Sequence, residues 1–245
     1  MIARRPGQFL AERVNRKFQI GLSLIGAFIA LDLISFAWHP LLVVTLAVGL
    51  FVWGLVENGG RYDFDNDRKG LAGELIVGEA LESMASRGVL AVHDVNLGWG
   101  NIDHVAISPH GVFAIEVKHL SGDPFYPKNG HLMRGRWPED RYAVQASRGA
   151  RQVRDVLRAS GLDLWVGALL VSTKAEVWRS GFEVSRVRVL PPDRLASELF
   201  RGPEKLTAEQ VGRAHEALLA ADRSPEPRGS RLWQALGLRL HRAEA

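Results

Sequence analysis

Ile102-Asp103-His104-Val105-Ala106-Ile107, Ser108-Pro109-His110-Gly111 and Val112-Phe113-Ala114-Ile115-Glu116-Val117-Lys118 follow one another without a break. Two apolar runs flank a Ser-Pro-His-Gly interruption, the pattern of antiparallel strands joined by a tight turn. With Ser108 opposite Gly111, Ile107 faces Val112, Val105 faces Ala114 and Asp103 faces Glu116. Alternate side chains share a face, so Lys118 joins Glu116. Two carboxylates directly opposite stand roughly 5 Å apart at Cβ and repel unless a cation lies between them. A divalent metal beside a lysine satisfies that arrangement.

Working outward, Leu71 to Arg87 has helical periodicity. Glu74 falls among Leu71, Val77, Gly78, Leu81 and Ala85, on the face expected to be buried. A buried carboxylate is costly unless it is paired or bound to metal. Val89 to Val95 reads as a strand, and Asn96 to Asn101, with Trp99 inside it, as a glycine-rich turn. Ser121 to Pro138 reads as irregular. A second helix is expected over Asp140 to Ser160, with an apolar stripe of Tyr142, Ala146, Ala150, Val153, Val156 and Leu157. Gln145 lies at the edge of that stripe. Arg148, Arg151, Arg154 and Arg158 cluster opposite, reading as a solvated face or a contact for phosphate or anionic lipid. Leu164 to Thr173 is apolar throughout, as in strands buried on both faces, and Arg186 to Leu190 reads as a fifth strand. The order helix, three strands, helix, strand predicts an α/β fold with a central mixed sheet and one crossover.

The chain has 245 residues, a net charge of +4 and no cysteine. Disulfides and thiolate zinc sites are therefore excluded. Residues 1–60 read as a membrane anchor. Residues 20–38 are apolar except for Asp32, His39-Pro40 interrupts, and residues 41–56 carry no charge. A bilayer core needs about 20 apolar residues per helix, so two transmembrane helices in a hairpin are expected. Arg4, Arg5, Arg13, Arg16 and Lys17 precede the first and favour a cytoplasmic N-terminus, returning the rest of the chain to that side. Asp32 in mid-span suggests self-association through the hairpin. Residues 61–200 form the predicted α/β domain. Residues 201–245 read as a helical extension, opened by a capping box at Thr207-Ala208-Glu209-Gln210, and a basic amphipathic tail suited to an anionic membrane surface.

The acidic constellation suits phosphodiester hydrolysis, in which carboxylates hold Mg²⁺ or Mn²⁺ and position water. Asp103 and Glu116 are the expected primary ligands, the Val117 carbonyl is available as a third, and Glu74 approaches from its helix. Lys118 is placed to orient or deprotonate water or to stabilise the transition state, with Gln145 in support. His104 and His119 alternate away from the site and read as structural.

The strings Gly70-Leu71-Ala72-Gly73-Glu74, Asn101-Ile102-Asp103-His104-Val105 and Gly111 through Lys118, followed by Gln145, resemble the nuclease-related domain family. That family is a branch of the PD-(D/E)xK superfamily. The resemblance spans about Gly70 to Thr173. It implies a restriction-endonuclease-like αβββαβ core, Mg²⁺ dependence and activity on DNA or RNA. It assigns Glu74, Asp103, Glu116 and Lys118 to the catalytic set and Gln145 to support. The competing expectation is a catalytically inactive nucleic-acid-binding or scaffold protein at the membrane.

Overall fold

The computed structural model describes residues 69–98 and 100–223, with short pieces at 19–20, 22–27, 30 and 48–49. Most of the expected hairpin, Asp32, the turn residue Trp99 and the tail beyond residue 223 lie outside the described residues. The short pieces that are described are helical, and Ile20, Leu22, Leu24, Ile25 and Val48 are exposed in them. No helix among the described residues is long and apolar enough to cross a membrane.

Helix α1 occupies residues 69–82. Strands β1 (Leu90–Asn96), β2 (Asn101–Ser108) and β3 (Gly111–Lys118) follow as an antiparallel meander. Next come β4 (Phe125–Lys128), β5 (His131–Arg134) and β6 (Trp137–Pro138), then the long helix α2 (Asp140–Ala159) and strand β7 (Val166–Ser172). Strands β8 (Phe182–Val184) and β9 (Val187–Leu190) precede the short helix α3 (Leu195–Leu199) and the final helix α4 (Ala208–Ala221). The main sheet runs β1-β2-β3-β7-β9-β8. β3, β7 and β9 are mutually parallel and the other pairs antiparallel, so the sheet is mixed as expected.

The two faces of this sheet carry separate cores. On one, Val77 and Leu81 of α1 pack with Ala106, Ile115, Val117, Leu169 and Val171. On the other, Ala146, Ala150, Val153 and Leu157 of α2 pack with Val105, Ile107, Val112, Ala114 and Leu170. Both sets follow from period-two alternation in the strands meeting a helical stripe. Helix α4 adds Val211, Ala214 and Leu218 to the α2-side core. Its N-terminus carries the expected capping box: Gln210 N–H donates to Thr207 Oγ1 at 3.2 Å, and Thr207 N–H donates to Gln210 Oε1 at 2.9 Å.

Three expectations need correcting. Residues 121–138 are not irregular, because β4, β5 and β6 form a small antiparallel sheet. Its first turn is Asn129-Gly130, both at positive φ (52° and 80°), the conformation that tight hairpins select. The regular part of α1 ends at residue 82 instead of reaching Arg87; a 3₁₀ turn, Ala85–Arg87, follows, and Met84 takes the buried position expected of Ala85. A further strand, β8, pairs with β9 through Ser185-Arg186.

Candidate active site

The hairpin register is the expected one as far as it runs: Ser108 pairs with Gly111, Ile107 with Val112, Val105 with Ala114 and His104 with Ile115. There the ladder stops. Asp103 and Glu116 occupy the next positions, and the strands part. The Val117 N–H donates to Asp103 Oδ2 at 2.6 Å, so a carboxylate fills the place of a main-chain acceptor. Asp103 is thereby aimed into the gap between β2 and β3.

Glu116 and Lys118 point to the α2 side, as alternation with Ala114 requires. Lys118 Nζ donates to Glu116 Oε1 at 2.5 Å and lies 5.1 Å from the ring centre of Tyr142 on α2. Glu116 is buried and lines a cleft of about 400 Å³ together with Asn101, Arg141, Gln145 and Arg148. The structure therefore brings Gln145 to the same cleft as Glu116, on an exposed part of α2. Asp103, Lys118 and Glu74 do not line it.

Glu74 comes from the other side of the sheet. Its neighbour Gly73 presses α1 against the ends of β3 and β7: a Cβ there would stand 2.8 Å from His119 Cβ and 3.0 Å from Thr173 Oγ1. Only a residue without a side chain permits that approach, which accounts for the glycine immediately before the acid. Glu74 is buried, and its Oε2 has no hydrogen-bond partner.

Sequence reasoning missed a fourth acid. Asp94 is fully buried and sits between the pairs His93–His104 and Val95–Ile102, which places it opposite Asp103 on β1. It interrupts the ladder with φ of 54° and accepts a hydrogen bond from Asn101 Nδ2 at 3.2 Å. Its only signal in the sequence is a charge inside an otherwise apolar strand.

The electrostatics report crowding. Burial raises Glu74 to about 9, and Asp103, Asp94 and Glu116 add to the shift against Lys118. Burial and then Asp103 push Glu116 up to about 8 despite its bond to Lys118. Asp103 rises to about 6, again mainly through burial, with Lys118 and the Val117 N–H opposing and Asp94 reinforcing. Desolvation pulls Lys118 down, but Glu116 and Asp103 outweigh it and hold the ammonium above the ordinary lysine range. Four acids therefore gather near one ammonium, and Glu74 and Glu116 retain their protons near neutral pH, where added cationic charge would displace them.

His104 is buried on the α1 side of the sheet, away from the cleft lined by Glu116, as strand alternation requires. His93 and His104 meet edge-on beneath α1 with Nδ1 atoms 2.8 Å apart, one donating and one accepting. Burial lowers both, to about 4 and about 3. His119 turns away to Thr173 Oγ1 at 2.8 Å.

As a donor set, Glu74, Asp94, Asp103 and Glu116 offer only hard oxygens, matching Mg²⁺ or Mn²⁺ rather than a thiolate-seeking metal. The unpartnered Glu74 Oε2 fits the same demand. In their present rotamers no three His, Asp or Glu side chains among the described residues are grouped to hold an ion. Glu116 is occupied by Lys118 and Asp103 by Val117.

This geometry, with acids on α1, β2 and β3 and a lysine two residues beyond the third, coincides with a family match over residues 69–173, to the model described as the nuclease-related domain. Residues 69–173 are similar to a nuclease-related domain. No curated protein and no solved structure matches the chain. The matched segment begins at the first described residue of α1 and ends just after β7, so it encloses all four acids, Lys118 and Gln145. The match is consistent with the PD-(D/E)xK superfamily.

Proposed function

We propose that this protein hydrolyses phosphodiester bonds of DNA or RNA with a divalent metal, Mg²⁺ or Mn²⁺. The observation that carries the reading is the gathering of the buried Glu74, Asp94 and Glu116 with the half-buried Asp103 near the Lys118 ammonium, at the open end of the β2–β3 hairpin. Asp103 and Glu116, with the Val117 carbonyl, are the groups that would hold the ion, and Glu74 would complete the set from α1. When bound, the ion supplies Lewis acidity toward the phosphate and a more acidic water.

The remaining roles belong to the protein. Lys118 is held protonated at neutral pH, so its suited task is to stabilise charge gathering on the attacked phosphate rather than to accept a proton. Gln145 stands across the cleft from Glu116, where its amide can orient a phosphate or water. The α1 helix excludes solvent from Glu74, and α2 walls the cleft with Arg141 and Arg148, whose charge favours a polyanionic substrate.

We further propose that the N-terminal segment anchors the protein in a membrane with its nuclease-related domain on the cytoplasmic side. The two apolar runs and the basic residues before them support this reading, as does the exposure of Ile20, Leu22, Leu24 and Ile25. Asp32 supports self-association within the membrane.

The test is incubation of the full chain with labelled DNA and RNA, with Mg²⁺, with Mn²⁺ and with chelator. Metal-dependent cleavage that disappears in Asp103→Asn and Lys118→Ala is expected. Cleavage that survives both substitutions would overturn the assignment. Tight metal-independent binding without turnover would leave the scaffold reading in its place.

A further inference from the structure

We propose that a second groove, continuous with the Glu116 cleft, is a track for single-stranded nucleic acid, with Trp165 as the stacking platform for an unpaired base. The proposal rests on the nuclease reading for the neighbouring chemistry and specifies the form of strand that reaches it.

The groove, about 420 Å³, lies between α2 and the start of β7 and is lined by Val144, Ser147, Arg151, Arg154, Trp165 and Arg186 among others. Val144, half exposed, also lines the Glu116 cleft, so the two concavities meet at one side chain. Trp165 is 68% exposed although it directly precedes a buried strand. An indole left in water at the wall of a groove offers its π-face to a base. The Arg154 guanidinium lies 5.7 Å from the Trp165 ring centre, and Arg151 and Arg186, both exposed, line the same groove.

Charge complementarity points the same way. Helix α2 carries five arginines against two aspartates. Among the described residues, Arg151 and Arg186 have no carboxylate within ion-pair distance. Asp140, which also lines the groove, is already engaged by His131 Nδ1 at 2.7 Å and by the Leu132 N–H at 2.8 Å. Asp163 stands 3.8 Å from Arg154 but is itself largely in solvent, where a phosphate can replace it. From Arg141 to Arg154 the helix advances roughly 20 Å, giving a row of cations that leads from the Glu116 cleft to Trp165. A duplex keeps its bases stacked internally and gains nothing from the indole. The flat face of a bilayer does not follow a groove.

The experiment uses the full chain carrying Glu116→Gln to suppress turnover. Fluorescence anisotropy measures its affinity for labelled oligothymidylate and for a duplex of the same length at fixed salt. Trp165→Ala is expected to weaken oligothymidylate binding about tenfold, the scale of one lost base stack, while Trp165→Phe keeps it within about threefold. Duplex affinity changes by less than about twofold in both. Arg151→Ala with Arg154→Ala is expected to reduce the salt dependence of oligothymidylate binding by one to two phosphate contacts, roughly. Unchanged single-strand affinity in Trp165→Ala overturns the track, as does an equal loss for duplex. So does a requirement for these residues in binding phosphatidylserine vesicles but not oligothymidylate. Thermal melting of each variant separates these results from misfolding. Trp165-dependent binding by a chain whose unsubstituted form cleaves nothing would remove the nuclease reading and leave the track. Cleavage by the unsubstituted chain with no Trp165 effect would do the reverse.

Discussion

The β2–β3 hairpin has two ends built on opposite principles. At its turn, polar groups are matched: Ser108 Oγ donates to the Leu199 carbonyl at 2.9 Å, the Pro109 carbonyl accepts from the Lys205 and Leu206 N–H groups, and the ladder runs unbroken through fully buried Ile107 and Val112. At its open end the ladder fails, Asp103 and Glu116 meet Glu74 and Asp94, and the carboxyl groups of Glu74, Asp103 and Glu116 are held above their ordinary range. Five positions along each strand, Asp103 to Ser108 and Gly111 to Glu116, separate a region arranged for stability from one that is destabilised by its own buried acids. The first fixes the register that the second depends on. A slip of one residue would turn Glu116 toward α1 and bury Val117 in its place.

Substitutions at the two ends should therefore separate activity from stability. Asp103→Asn and Lys118→Ala are expected to lower turnover by about 10²–10³-fold, the scale of losing one preorganised electrostatic group, with little loss of melting temperature. Ile107→Ala is expected to cost about 2–5 kcal/mol of stability while turnover per folded molecule is retained; denaturant unfolding and active-fraction measurement check it. If both kinds of substitution move both quantities equally, the contrast fails.

Gly73→Val should do intermediate harm by a different route. The new side chain collides with His119 and Thr173, α1 shifts, and Glu74 leaves the site. Activity is expected to fall further than the melting temperature alone would explain.

The pH dependence is set by sign. Glu74 and Glu116 bind protons more tightly in the folded chain than in the unfolded one, so their contribution to stability is full below the unfolded carboxyl range, near 4.5. It is lost as pH rises toward about 8 to 9. In chelator, the melting temperature is expected to decline across that window, Glu116→Gln to flatten the decline, and Mg²⁺ to oppose it. A melting temperature that rises with pH in chelator would contradict the assignment.

The smallest expected effect is that of Asp94→Asn. Asp94 raises Asp103, so its removal should move the acid limb of the pH–rate profile to lower pH, with the maximal rate changed by less than in Asp103→Asn. An acid limb that stays in place would remove Asp94 from the site.

What could be read in advance was what local pattern controls. The β2–β3 register, the α2 stripe, the apolar β7 and the Thr207 capping box each follow from neighbouring residues alone, and each is present. Asn129-Gly130 carried a hairpin signal of the same local kind, obscured by the surrounding Gly and Pro. The β8–β9 turn was not legible, because Ser185 and Arg186 both adopt positive φ without being glycine or asparagine. In the site, a helical wheel gives Glu74 a buried face but not the side of the sheet it packs on. Asp94 became visible only once β1 was laid against β2, since no spacing in the chain links it to Asp103.

The central claim is that Glu74 and Glu116 keep their protons near neutral pH until a divalent cation replaces them. Calorimetric titration of Mg²⁺ into the full chain near neutral pH, repeated in buffers of different ionisation enthalpy, counts the protons released. Release of at least one proton per ion bound, on the order of one to two, is expected for the unsubstituted chain, with less in Glu116→Gln. Binding without proton release, or release unchanged by that substitution, would contradict it.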